Sequence, residues 1–204
     1  MIDRDFSGRL GVFVILMSFG LVIARPPDAR AATQQAQAQQ GALELLAVPL
    51  PDLSGLPSRL QKRLRDAHEA VTATIQRPAI SPPAAADAFG EMGKLFIATR
   101  FSDEAERSFR NAERLAFLDP RWPYYLGHVL RNAGDLPAAT EAFERARRLR
   151  PADFPTLLWL GRIYLDLAKP ADAEVRLAEA LKLRPDQAVV RFELGRTALS
   201  RHCR

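Results

Sequence analysis

The chain has 204 residues, of which 48% are hydrophobic and 26% are charged, and its formal net charge is +5. This composition is ordinary for a soluble protein and supplies enough apolar side chains for one elongated domain with a tail. The single cysteine excludes an internal disulfide framework. The mildly basic balance favours anionic partners only weakly, so charge alone does not assign a partner.

Residues 1–31 are predicted to be a signal peptide or an N-terminal anchor. An apolar run occupies residues 10–24, Arg4 and Arg9 precede it, and Ala29-Arg30-Ala31 follows it. This is the layout of a secretory signal with an A-x-A-like cleavage site. The run is short for a membrane-spanning helix, which needs about 20 apolar residues. We therefore expect export, either with cleavage after this tripeptide or with the run kept as an anchor in the membrane.

The next two segments are predicted to lead into the main domain. Residues 32–56 are polar and glutamine-rich at first and then proline-rich, which is typical of a flexible spacer that can pack along a domain edge. Residues 57–77 follow with apolar side chains at helical spacing. These are Leu60, Leu64, Ala67, Val71 and Ile75. The pattern predicts one amphipathic helix, which we expect to cap the N-terminal end of the following array.

From residue 86 onwards, several residue types recur with a constant separation of 34 positions. The glycines of this period are Gly93, Gly127, Gly161 and Gly195. Small and large apolar residues keep the same phase, namely Ala105, Ala139 and Ala173, then Phe109, Phe143 and Leu177, then Ala112, Ala146 and Ala180. A shared period across several residue types indicates a repeat architecture.

The order of residues within one period resembles the tetratricopeptide repeat. One copy reads Tyr124-Tyr125-Leu126-Gly127, Leu130, Ala139, Phe143, Ala146 and Pro151. The resemblance implies an all-α fold, a right-handed α-solenoid of antiparallel helix pairs, over residues 86–204. It implies three full repeats at 86–117, 120–151 and 154–185, followed by a half repeat near 188–200.

The repeated residues have a physical interpretation within such helix pairs. We expect the glycines at close helix crossings, where a larger side chain would hold the helices apart. We expect Phe109, Phe143 and Leu177 to fill the space between neighbouring repeats. Ser102 and Asp135 are predicted to cap second helices, and Asp153 and Asp186 are predicted to cap the first helices that follow.

Two columns of the first helices form the candidate binding site, because in the resembled family these helices line the concave groove. One column is basic, and the other, four residues earlier, is mainly apolar or aromatic, so the two are neighbours on one helix face. The candidate groove residues are Lys94, His128, Arg162 and Arg196 in the first column and Tyr124, Leu158 and Phe192, with Gly90, in the second. The combination suits a peptide with an acidic group and a hydrophobic anchor. A merely solvated basic surface is an equally open interpretation.

These observations predict an exported scaffold that binds a protein or peptide partner. The expected ligand is a peptide segment of an envelope protein, bound in the concave groove. The alternative is a helical repeat with a basic groove that binds single-stranded RNA, although export would remove the chain from nucleic acid. No catalytic motif is found, so we expect no enzyme activity. We also expect no cofactor and no metal, since His202 and Cys203 alone do not make a zinc site.

The last repeat has a first helix but no second one. Phe192, Leu194 and Leu199 recur there at helical spacing, so part of an apolar face is expected to lack its usual cover. Two interpretations follow, namely a truncated reading frame or an end that docks onto a second molecule. The sequence does not fix the oligomeric state.

Overall fold

The computed structural model describes residues 45–77 and 81–202, which form eight α-helices and no strand. The helices are α1 (Ser58–Ile75), α2 (Pro82–Thr99), α3 (Ser102–Leu115), α4 (Arg121–Asn132), α5 (Leu136–Leu149), α6 (Phe154–Asp166), α7 (Pro170–Leu183) and α8 (Ala188–His202). The predicted signal segment and Cys203 lie outside the described residues, as does the first part of the predicted spacer.

Short turns join the helices into the three predicted pairs, α2 with α3, α4 with α5 and α6 with α7. Each pair packs against the next one, α1 packs against α2, and α8 packs against both helices of the last pair. The all-α helical-repeat solenoid predicted from the period is therefore confirmed. The first pair begins at Pro82 rather than at residue 86, because a proline is well suited to the first helical position.

The glycines lie at close helix crossings, as predicted. A Cβ atom added to Gly93, Gly127 or Gly161 would lie 2.8, 2.7 or 2.5 Å from the side chains of Phe109, Phe143 and Leu177, respectively. Each of these large side chains therefore sits on the glycine of its own repeat. Two of them also reach the next repeat, as expected. The ring centroid of Phe109 is 5.4 Å from that of Tyr125, and Leu177 belongs to the same buried cluster as Val190 of α8.

The turn inside each pair contains one residue in the left-handed backbone region. These residues are Arg100 (φ 64°), Gly134 (φ 87°) and Ala168 (φ 56°), which keep the 34-residue spacing. Directly after them, the backbone N–H groups of Phe101, Asp135 and Lys169 donate to carbonyls of Phe96, Leu130 and Tyr164 at 2.8–3.0 Å. This hydrogen bond closes the end of the first helix, as in a Schellman motif.

Only one of the three turns has glycine at the left-handed position, which leads to a stability prediction. Replacing Ala168 with glycine should raise the free energy of unfolding by about 0.5–1 kcal/mol, since glycine has no Cβ and avoids the left-handed penalty. Gly134→Ala should lower it by a similar amount. Urea denaturation of both variants measures the difference, and a loss of stability in Ala168→Gly would contradict the explanation.

Two of the four predicted helix caps are present, and Asp186 lies two residues before the first residue of α8. The carboxylate of Asp135 accepts from the N–H of Ala138 at 3.0 Å, and that of Asp153 accepts from the N–H of Thr156 at 3.1 Å. The predicted cap at Ser102 is wrong. In the 34-residue register Phe101, and not Ser102, corresponds to Asp135, so Ser102 is already the first residue of α3 and Phe101 occupies the capping position.

The chain before α1 is held by a buried asparagine. The side chain of Asn111 in α3 accepts from the N–H of Leu46 at 2.7 Å and donates to its carbonyl at 2.8 Å. Asn111 has no exposed surface, and Leu53 further along the segment is 4% exposed. One amide side chain thus satisfies both backbone groups of Leu46, which fixes this part of the chain against the first repeat.

Candidate functional site: the surface of the first helices

A row of contacts joins the first helices of successive repeats. Lys94 Nζ lies 5.2 Å from the ring centroid of Tyr125, and the ring of His128 lies 4.9 Å from that of Trp159. Arg162 Nε donates to a carboxylate oxygen of Glu193 at 2.7 Å. Each contact joins residues 31 positions apart, so the same two places in neighbouring repeats always meet. We call these three contacts the inter-repeat ladder.

The first contact of the ladder leaves its cation accessible. The side chain of Lys94 is 34% exposed. It forms an ion pair at 2.7 Å with Glu91 of the same helix. An exposed ion pair of this kind contributes little to stability. The ammonium group of Lys94 is therefore able to exchange Glu91 for the acidic group of a ligand.

The second contact removes one charge from the predicted basic column. The ring of His128 lies edge-on among the rings of Tyr124, Phe143 and Trp159, with centroids 4.6–5.1 Å apart. Burial, and secondarily the charge of Arg131, lowers the pKa of His128 to about 4. His128 is thus neutral near pH 7, so this position of the predicted basic column carries no positive charge there.

The lowered pKa of His128 makes stability depend on pH in a defined direction. The unfolded chain takes up a proton near pH 6.5, whereas the folded chain does so only near pH 4. The contribution of the neutral His128 to the free energy of unfolding is therefore fully present above pH 6.5 and is lost as the pH falls towards 4. The loss between pH 7 and pH 5 is about 1–2 kcal/mol. His128→Phe should flatten this decline in urea denaturation. An unchanged slope would show that His128 is not the group responsible.

The exposed side of the ladder is centred on Trp159. Its ring is partly exposed, and the guanidinium groups of Arg131 and Arg162 lie 4.5 and 4.9 Å from its centroid. Arg131 is absent from the predicted site residues, although its place three residues after His128 puts it on the same helix face. The spacing between Arg131 and His128 could therefore have been used to predict Arg131 as a site residue.

The third contact of the ladder is a buried ion pair. Glu193 is 3% exposed and is held by Arg162 through one carboxylate oxygen and by Arg196 through the other, at 2.7 and 2.8 Å. Arg162 is 28% exposed and Arg196 is 46% exposed. One carboxylate thus faces two cations, which leaves a net positive charge here. Arg162 has a structural contact as well as a place on the surface.

The comparisons with known proteins agree with the helix pairs. A family model described as tetratricopeptide repeat matches residues 130–200. The matched residues run from the end of α4 into α8 and are similar to the tetratricopeptide repeat. The comparison with curated proteins found no significant match.

Solved structures of tetratricopeptide proteins share this fold. MamA has a TM-score of 0.63 at 15% identity over 70% of this chain and 79% of its own. YrrB, described as a TPR protein with an unusual peptide-binding site, has a TM-score of 0.61 at 20% identity over 72% and 71%. The Yersinia enterocolitica type III secretion chaperone SycD, in complex with a peptide of the translocator YopD, has a TM-score of 0.53 at 16% identity over 56% and 93%.

The apolar column of the first helices does not form one continuous stripe. The buried ring of Trp122 packs directly on Gly90, where it fills the space that a Cβ atom would need. Leu158 is only 9% exposed and belongs to the core, whereas Phe192 is 65% exposed on α8.

Tyr124 is the half-buried member of this column and the one next to an open cavity. The cavity has a volume of about 160 Å³ and is also lined by Arg121, Arg150 and Asp153. Burial, with the nearby charge of Asp153, raises the pKa of the Tyr124 phenol, which therefore stays protonated and can donate a hydrogen bond.

The described part of the chain lacks two further kinds of site. No group of three or more histidine, cysteine or acidic side chains there is arranged to hold a metal ion. None of its helices combines the length and hydrophobicity that crossing a bilayer requires.

Proposed function

We propose that this chain is an exported tetratricopeptide scaffold that binds a peptide segment of an envelope protein along its first helices. The observation that carries the proposal is the row of accessible cations and partly exposed aromatic rings on this surface. Lys94, Arg131 and Arg196 supply the cations, and Tyr124 and Trp159 supply the rings. Two tetratricopeptide proteins with the same fold are described with a peptide or a peptide-binding site, which supports this use of the repeats.

The chemistry of the surface defines the class of ligand. Arginine and lysine favour a carboxylate, and an aromatic ring flanked by guanidinium groups favours a flat or apolar side chain. His128 is neutral, so the charge of α4 on this surface comes from Arg131 beside the Trp159 ring, between Lys94 of α2 and the arginines of α6 and α8. The expected ligand is therefore an extended segment with acidic residues on both sides of a hydrophobic anchor.

The proposed compartment depends on residues 1–31, which lie outside the described residues. The apolar run at 10–24 and the Ala29-Arg30-Ala31 sequence support secretion. Fusing alkaline phosphatase, which requires export for activity, to the end of the chain tests this. Activity that disappears when residues 10–24 are deleted is the expected result, and an inactive full-length fusion would contradict export.

Ligand binding can be tested with a random peptide library selected against the full chain. The recovered peptides are then measured against the variant Lys94→Glu/Arg131→Glu, whose cations are partly exposed and lie on first helices. The matched control is Arg148→Glu/Lys182→Glu, which makes the same change in net charge at exposed positions of second helices. We expect acidic peptides with an apolar anchor, and at least about tenfold weaker binding in the first variant only.

Three outcomes would argue against this function. Equal losses in both variants would indicate a general charge effect rather than a surface of the first helices. Unchanged binding in both would favour the solvated surface. Displacement of the selected peptides by single-stranded RNA would favour the nucleic-acid alternative, since aromatic and arginine side chains also stack on bases.

A further inference from the structure

The last helix presents an apolar face that no described residue covers. Phe192 is 65% exposed, Leu199 is 70% exposed, and Gly195 lies between them on the same side of α8. The opposite side of α8 is buried against the third repeat through Val190, Glu193 and Thr197. The exposed apolar side chains are therefore not a consequence of a poorly packed helix.

The other repeats of this chain show what such a face accommodates. In each of them, the glycine that corresponds to Gly195 contacts a phenylalanine or leucine of the antiparallel second helix. On that second helix, an alanine lies four residues before the large side chain and another lies three residues after it. Nothing lies within 4 Å of a Cβ atom placed on Gly195. We call the space over such a glycine, which a large side chain of the second helix fills, a seat. The three occupied seats are Gly93 with Phe109, Gly127 with Phe143 and Gly161 with Leu177. Gly195 thus forms the same seat without an occupant among the described residues.

The charges around the seat select among occupants. Arg191 and Arg196 border the exposed face on its two sides, and Arg191 donates to the Pro185 carbonyl at 2.6 Å. The acidic residue of α8, Glu193, is on the buried side. A second copy of α8 would bring arginines against arginines, whereas a helix with acidic residues would meet opposite charges.

We infer that α8 is a second binding site, which takes an acidic amphipathic helix of another protein. A phenylalanine or leucine of that helix fills the Gly195 seat, its small residues lie against α8, and its carboxylates face Arg191 and Arg196. This site shares Arg196 with the peptide surface proposed above but differs from it in its apolar centre, which is the Gly195 seat and the face of α8 around it.

The chain itself supplies suitable probe peptides. A peptide with the sequence of α3, Ser102–Leu115, carries Phe109, its flanking alanines and four carboxylates against three cations. A peptide with the sequence of α5, Leu136–Leu149, carries Phe143 in the same setting, but with two carboxylates against three cations. Both are made with a lactam bridge on the side away from the phenylalanine, so that neither has to form its helix on binding, and both carry a fluorophore for anisotropy.

We expect the α3 peptide to bind the full chain saturably and the α5 peptide to bind more weakly. Alanine in place of Phe109 in the α3 peptide should weaken binding at least about tenfold. The variant Gly195→Leu should do the same by filling the seat, while its melting temperature stays at or above that of the wild type because the position is open. Arg191→Glu, at an exposed position away from Glu193, should reduce the preference for the α3 peptide.

Other results would overturn the inference. Failure of the bridged α3 peptide to bind, or equal binding to Gly195→Leu, would exclude the seat as a binding site. Loss of peptide binding in Lys94→Glu/Arg131→Glu, with none in Gly195→Leu, would move the peptide to the surface of the first helices. A dimer in sedimentation experiments that Gly195→Leu dissociates would assign the seat to a second copy of this chain instead.

Discussion

Replacing Gly161 with leucine should lower the free energy of unfolding by about 3 kcal/mol, at the upper end of the usual range for overpacking a core site. A Cβ atom at Gly161 would lie 2.5 Å from Cγ and 2.6 Å from Cδ2 of Leu177, far inside normal contact distance. Leu177 is fully buried, so it has no free space into which to move. The helices α6 and α7 must separate, which also loosens their contacts with α8. Urea denaturation followed by circular dichroism measures the effect.

The same substitution at Gly195 is the internal control for this prediction. Gly195→Leu makes the same chemical change at the same place in the repeat, but no described atom lies near the new side chain. Leucine also has a higher helix propensity than glycine, by roughly 0.8 kcal/mol, so stability should be unchanged or slightly higher. Equal destabilisation of both variants would show that loss of glycine, rather than a clash with Leu177, is the cause.

The fold could be predicted from the sequence because each repeat solves the same packing problem. Gly127 and Phe143 meet within their pair in the same way as Gly93 and Phe109, so the same residue types are required at the same spacing. The period therefore predicts the pairs, their order and the close crossings. The left-handed residue of each turn keeps the same period, but it was not recognisable, because it is glycine only at Gly134.

The details of the candidate site were less accessible, because they depend on which side chain the next repeat supplies. His128 belongs to the basic column by position, but Trp159 and its neighbours make it neutral. The partners of the ladder do keep a 34-residue spacing, as Tyr125, Trp159 and Glu193 show, but they share no chemistry. A column without a common residue type gives no periodic signal. The contact of Asn111 with Leu46 occurs once and could not be predicted from the period.

The second large effect is expected at Arg162. The sequence predicts that Arg162→Glu weakens binding without unfolding the domain, but the structure gives Arg162 a buried partner. The substitution places a second carboxylate against Glu193, which is 3% exposed. We expect a loss of roughly 3 kcal/mol, the lower end of the range for breaking a buried ion pair, because Arg162 itself is 28% exposed. Hydrogen exchange of α8 should rise most, since Glu193 belongs to that helix.

A double-mutant cycle separates this explanation from a general effect of charge. Arg162→Leu should cost more than Glu193→Leu, because the first leaves a buried carboxylate with Arg196 alone, whereas the second leaves arginines that can reach water. The double variant Arg162→Leu/Glu193→Leu should recover most of the stability, since an apolar pair of similar volume often replaces a buried ion pair without loss. If the two single variants were equal and their effects simply added, Arg162 and Glu193 would not form a coupled pair, and Arg162→Glu would again be a clean test of ligand binding.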